Sequence, residues 1–142
     1  MREEKGFQLD FIVQDVKVTF FSGGAVLIPF KVKDYTCPFE NLNIATISTI
    51  AALKMSAISQ RSTMRDYYDL YFLAKHILPL PEIYALSKSL FPALSSIIYS
   101  ETIVYTNDIP EETISGHLLP SEIITKYQIA DFFVDEIRKM KL

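Results

Sequence analysis

The run Lys54-Met55-Ser56-Ala57-Ile58-Ser59-Gln60-Arg61-Ser62-Thr63-Met64-Arg65-Asp66-Tyr67-Tyr68-Asp69-Leu70 decides how this chain is read. It places basic and acidic side chains inside two helical patterns, at positions where apolar residues are expected. On the first helix Ile47, Ile50, Ala51, Lys54, Ala57, Ile58 and Arg61 recur at the spacing of a buried face, with Ser48, Thr49, Ala52, Ser56, Ser59 and Gln60 opposite. That spacing predicts Lys54 in the middle of the core-facing stripe. On the second helix the stripe is Tyr67, Leu70, Tyr71, Leu73, Ala74, Ile77 and Leu78, and at ~100° per residue Asp66 falls between Leu73 and Ile77, with Asp69 at the border. An unpaired buried charge costs several kcal/mol, so Lys54, Arg61, Asp66 and Asp69 are expected to meet one another, a ligand, or both.

Working outward, Thr46 is the expected N-cap of the first helix, which runs to about Gln60, and Thr63 with Asp66 opens a second helix to about His76. Pro79 and Pro81 end it, a third helix spans Pro81 to Phe91 with Ile83, Leu86, Ser87 and Leu90 inward, and a short fourth follows Pro92. Thr125 and Gln128 form a capping box for a last helix whose apolar face is Ile129, Phe132, Phe133, Ile137 and Met140. Thr102 to Pro120 carries no helical period and reads as loop, with a strand at Ile103-Val104-Tyr105. Toward the N-terminus, Phe7 to Val13 and Val16 to Phe21 read as strands joined at Gln14-Asp15. Ala25 to Val32, with Pro29 inside it, reads as an edge strand, and Lys33 to Asn43 as connecting loop. The expected fold is α+β: a small antiparallel sheet, hairpin plus short strand, followed by a bundle of about four to five helices. One domain is expected over residues 1–142, with sheet in 1–43 and helices in 44–142.

The 142 residues, 49% of them hydrophobic, suffice for a real core. A net charge of −3 gives no basic field for nucleic acid or anionic membrane, and the one basic cluster, Arg138-Lys139-Lys141, sits where cations suit a helix C-terminus. The single cysteine, Cys37, excludes an internal disulfide or a multi-thiolate zinc site and suits a reducing compartment. No segment is apolar enough to span a bilayer and the first residues are charged rather than signal-like, so a cytoplasmic location is expected.

Several candidate sites have simpler explanations. Gly23-Gly24 precedes a strand-like run rather than a helix, which makes it a turn and not a phosphate loop. His76 and His117 have no acidic or thiol neighbour at ligand spacing and read as a helix-end cation and a loop residue. Asp66 fits a capping carboxylate, Asp69 an ordinary pair with Arg65, and Arg61 a C-terminal cap. Lys54 resists this treatment, because mid-helix it has no dipole end to serve and only snorkelling as an alternative.

The run Ile44 to Arg61 followed by Arg65-Asp66-Tyr67-Tyr68-Asp69-Leu70-Tyr71-Phe72-Leu73 resembles the nucleotidyltransferase toxin family of the AbiEii type. The strand Val16-Lys17-Val18-Thr19-Phe20-Phe21 and the Phe132-Phe133 helix are similar to further parts of it. Family members resemble polymerase-β-type nucleotidyltransferases and act as toxins of toxin–antitoxin systems, transferring a nucleotide from an NTP with Mg²⁺. The resemblance implies nucleotide binding by Lys54, Arg61 and Arg65 and catalytic roles for Asp66 and Asp69, and it assigns no metal ligands in this chain.

The upstream half of the family pattern is missing. No Gly-Gly-Ser/Thr motif opens a helix, no Asp-x-Asp pair occurs, and Thr19 stands where many relatives place an acidic residue. Two-metal transfer needs carboxylates to hold the metals. The expectation is therefore the C-terminal portion of an AbiEii-like enzyme, inactive alone or half of a split enzyme, with a partial NTP-phosphate site and with Mg²⁺ and NTP as cofactors by resemblance only. A non-catalytic module that binds an antitoxin or self-associates is the alternative. The partners that follow are a cognate antitoxin, a homodimer, or a missing N-terminal half.

Overall fold

The computed structural model describes residues 3–5, 8–21, 30–110 and 122–141. Two compact units divide the chain, Met1–Asp34 and Tyr35–Leu142. The fold is α+β, as expected, with antiparallel sheets ahead of five helices.

The first unit holds β1 (Glu3–Lys5), β2 (Gln8–Val13) and β3 (Val16–Phe21), an antiparallel sheet in that order. The β2–β3 hairpin turns at Gln14 and Asp15, whose φ of 49° and 63° are both left-handed. Such a two-residue turn matches the right-handed twist of the strands it joins. Pairing of Asp10 with Thr19 and Phe11 with Val18 sorts the side chains by face. Leu9, Phe11, Val13, Val16, Val18 and Phe20 share one face, where the Phe11 and Phe20 rings meet edge-on at 5.7 Å. On the other, Asp10 accepts from Thr19 Oγ1 at 2.6 Å, from Gln8 Nε2 at 2.9 Å and from Lys17 at 2.8 Å. The Lys17, Thr19 and Gln8 bonds hold the Asp10 carboxyl well below the ordinary range. The Gly23-Gly24 turn, most of the strand expected at Ala25 to Val32, and His117 lie outside the described residues.

The second unit corrects the loop expected from Lys33 to Asn43. A 3₁₀ turn (Val32–Tyr35) leads into a hairpin of β4 (Thr36–Phe39) and β5 (Leu42–Ala45). Pro38 in β4 and the Asn residues made this stretch look irregular. The hairpin base is tied to the first helix, because Tyr35 O accepts both the Thr46 N–H and Thr49 Oγ1–H, the latter at 3.0 Å.

The helices are α1 (Ile47–Gln60), α2 (Met64–His76), α3 (Leu80–Leu90), α4 (Ser96–Val104) and α5 (Lys126–Met140). The N-caps of α1, α2 and α5 are those the sequence marks: Thr46 accepts from Thr49 N, Thr63 from Asp66 N, and Thr125 and Gln128 form a complete capping box, while Ser95, which caps α4, was not singled out. The core is built from Met55, Tyr67, Leu70, Ile83, Tyr99, Ile103, Ile129 and Phe133, all fully buried.

Two expectations fail here. Ile103-Val104 is not a strand but the end of α4. β-branched residues favour strands, yet Tyr99 and Ile103 at i, i+4 bury together, and Tyr67 Oη–H donates to Ile103 O, so tertiary burial overrides propensity. On α1 the buried residues are Thr49, Ala51, Ala52, Met55, Ser56 and Ile58, while Ile47, Ile50 and Arg61 are exposed. The helix has turned its small-residue side inward, where it packs on α2, α3 and α4. Lys54 consequently lies at the margin of the core rather than in its middle.

Candidate functional site

The α1–α2 corner brings together the charges that the sequence singles out. Arg61 and Thr63 are extended between the helices, and the Thr63 cap fixes the first turn of α2 so that Asp66 points back at α1. Lys54 Nζ donates to Asp66 Oδ1 at 2.8 Å and to Asp69 Oδ2 at 2.6 Å. Arg61 Nε and Thr63 Oγ1 both donate to Asp66 Oδ2, at 2.9 and 2.8 Å. Asp66 is thus the hub, with a side chain 3% exposed, whereas Lys54 and Asp69 are 25% and 36% exposed.

Burial alone would raise the Asp66 pKa, but the hydrogen bonds from Lys54 and Thr63 and the nearby cations lower it. Burial likewise pulls Lys54 down, and its bonds to Asp66 and Asp69 outweigh this and lift it above its ordinary value. Both groups are charged at neutral pH. Asp69 pairs with Lys54 and not with Arg65, which correctly places Asp69 in the network and corrects the expected Arg65–Asp69 pair. Arg61 caps α1 through its backbone N–H to Ala57 O, while its side chain serves Asp66. Arg65 is exposed and has no ion pair among the described residues.

The donor set has a definite chemistry. Two N–H bonds of Lys54 are committed to carboxylates, and the remaining donor, the free Arg61 nitrogens and the Arg65 guanidinium can still meet phosphate oxygens. Among the described residues no three His, Cys, Asp or Glu side chains gather to hold a divalent metal. Asp66 already spends both oxygens on protein donors.

A second polar cluster escaped the sequence reading. Glu122, just before α5, accepts from Tyr71 Oη and Lys75 Nζ, each at 2.8 Å, and pairs with His76 Nε2 through its other oxygen. The bonds from Lys75, His76 and Tyr71 hold its carboxyl at about 2. His76 therefore has an acidic partner after all, supplied from far along the chain. Only its position beside Lys75 at the end of α2 hinted at a waiting acid.

Comparison with known proteins places this geometry. The model of the family described as nucleotidyl transferase AbiEii toxin, type IV TA system, matches residues 3–112. The chain belongs to this family. The AbiEii match contains the whole Lys54–Asp69 corner, while α5, with its Phe132-Phe133 likeness, lies beyond it. An uncharacterized protein of Aquifex aeolicus (strain VF5) is 34% identical over 107 residues, which make up 73% of this chain and 50% of that protein. The chain thus spans about half the length of this relative. No solved structure matches it significantly. No helix among the described residues is long and apolar enough to cross a membrane.

Proposed function

We propose that this chain is the helical portion of an AbiEii-type nucleotidyltransferase and carries part of its NTP site. Lys54, Arg61 and Arg65 would contact the phosphates, and Asp66 and Asp69 would hold the lysine in position. The observation that carries this reading is the doubly bonded Lys54 at a half-exposed helix corner. Two carboxylates fix a cation whose third donor remains available, which is how a phosphate-binding lysine is pre-organised.

The Mg²⁺-holding carboxylates that nucleotidyl transfer needs would come from another polypeptide segment, because Asp66 and Asp69 are engaged as positioning groups. Alone, the chain is then expected to bind NTP without transferring a nucleotide. Its membership of a toxin–antitoxin family makes an antitoxin its functional counterpart. The exposed apolar surface on the hairpin and α1 favours a second reading, a non-catalytic interaction module.

Calorimetric titration with Mg·NTP separates the two. Saturable binding that weakens about tenfold in Lys54→Ala, equal to about 1.4 kcal/mol, is the expected result. Absence of saturable binding in the unsubstituted chain would leave only the interaction module, and binding indifferent to Lys54→Ala would move the site elsewhere.

A further inference from the structure

Asp66 and Asp69 both hold Lys54, but they are left in different states. Asp66 spends both oxygens on protein donors. Asp69 gives Oδ2 to Lys54 Nζ at 2.6 Å, and its Oδ1 accepts no hydrogen bond among the described residues. The Asp69 carboxylate stands at the rim, 36% exposed. Arg65 lies one turn earlier on the same side of α2 and is exposed. It leaves that oxygen alone, although i, i+4 placement brings a guanidinium and a carboxylate within reach of each other. The corner therefore keeps an unspent acceptor among unspent donors, namely the third Lys54 hydrogen, the remaining Arg61 nitrogens and Arg65.

A site for phosphate alone would gain nothing from that acceptor, because carboxylate and phosphate oxygens repel each other. A carboxylate oxygen beside a phosphate gains when the same ligand offers it an O–H or N–H. Both needs have to be met within a few ångströms, since Oδ1 and the Lys54 ammonium belong to one ion pair. In a 5′-nucleotide the 3′-hydroxyl meets that spacing: only C3′, C4′, C5′ and O5′ separate it from phosphorus. The 2′-hydroxyl is one carbon further away, and the amino and imino groups of the base lie beyond the ribose.

We propose that Asp69 Oδ1 accepts the 3′-hydroxyl of a nucleoside triphosphate whose phosphates meet Lys54. Asp69 then both positions the lysine and selects a ribose with a free 3′-OH. The proposal rests on the partial NTP site described above and adds what the ligand must carry besides phosphate. An acceptor of this kind disfavours an analogue lacking the hydroxyl, because its oxygen is then covered without a partner. Water reaches the rim and replaces part of the loss, so the discrimination is about fivefold rather than the roughly 10⁴-fold of an enclosed site.

Calorimetric titration of the full chain tests this with the best-bound of ATP, GTP, CTP and UTP, its 2′-deoxy and 3′-deoxy analogues, and inorganic tripolyphosphate, all with Mg²⁺. In the unsubstituted protein the ribonucleotide and its 2′-deoxy form should bind alike and the 3′-deoxy form about fivefold more weakly. In Asp69→Ala, with circular dichroism unchanged, that difference should fall below about twofold while tripolyphosphate affinity changes by less than about threefold. Equal affinity for the 3′-deoxy form in the unsubstituted chain overturns the proposal, as does weakening of the 2′-deoxy form instead. So does a 3′-OH preference that survives in Asp69→Ala. An equal loss for every ligand in that variant, tripolyphosphate included, makes Asp69 a positioning residue for Lys54 only and also overturns it. The two readings fail separately: tripolyphosphate binding without 3′-OH discrimination removes this proposal alone, whereas binding of neither nucleotide nor tripolyphosphate removes the phosphate site and this proposal with it.

Discussion

At Asp66 both carboxylate oxygens accept from protein donors, one from Lys54 and the other from Arg61 and Thr63, while its backbone N–H meets the Thr63 hydroxyl. Asp69 pairs with Lys54 and stands at the rim. Truncation should therefore separate the two. Asp66→Ala is expected to destabilise by about 3 kcal/mol, since it leaves a half-buried lysine short of a partner and removes a helix-end carboxylate. Asp69→Ala should cost about 1 kcal/mol or less, as expected of a rim-exposed pair. Urea unfolding of the two variants measures the difference, and equal losses would mean that the network is not centred on Asp66. The sequence showed Asp66 and Asp69 to be charges in or beside an apolar stripe, but which of them is the hub depended on how α1 is rotated.

The helix ends are local, and the sequence marks them accordingly: Thr46, Thr63 and Thr125 each cap the helix they precede. The Gln14-Asp15 turn is equally local, yet its residues are poorly suited to it. Left-handed backbone costs a residue with a Cβ about 1 kcal/mol or more, so replacing the pair by Asn-Gly should stabilise the β2–β3 hairpin by about that amount. Amide exchange in β2 and β3 slowing about fivefold is the expected readout, and unchanged exchange would show that the turn conformation carries no strain. Elements that depend on distant partners were harder to read. α4 forms because Tyr99 and Ile103 find a core, and Glu122 joins the end of α2 through residues some fifty positions earlier.

For the molecule as a whole, charge sets a pH window for stability. The Asp66 and Glu122 carboxyls have folded pKa values below their ordinary 3.8 and 4.5, so they contribute stability above those values, and that contribution is lost as pH falls through the folded ones, about 2 for Glu122. Lys54 is raised above 10.5, so its contribution is complete below that pH and is lost as pH rises through the folded value. A thermal-unfolding midpoint that is flat from pH 5 to 10 and falls on both sides is expected. In Asp66→Asn the decline below pH 4 should become shallower, and an unchanged acid limb would assign acid sensitivity to other carboxylates.

By itself the sequence determined the α+β class, the starts of α1, α2 and α5, the family and the presence of charges that needed partners. These follow from short-range rules, namely periodicity, capping and the requirement that a desolvated charge be paired. Tertiary structure alone decided which side of α1 is buried. Two stripes on that helix have core-like spacing, and one-dimensional periodicity cannot rank an isoleucine–lysine face against an alanine–serine face. Close approach of α2, α3 and α4 settles it, because small side chains let helix axes come together and long ones do not. Ile47 and Ile50 are thereby turned outward, and Lys54 is left at the margin of the core, at a corner where it meets two carboxylates and still faces solvent.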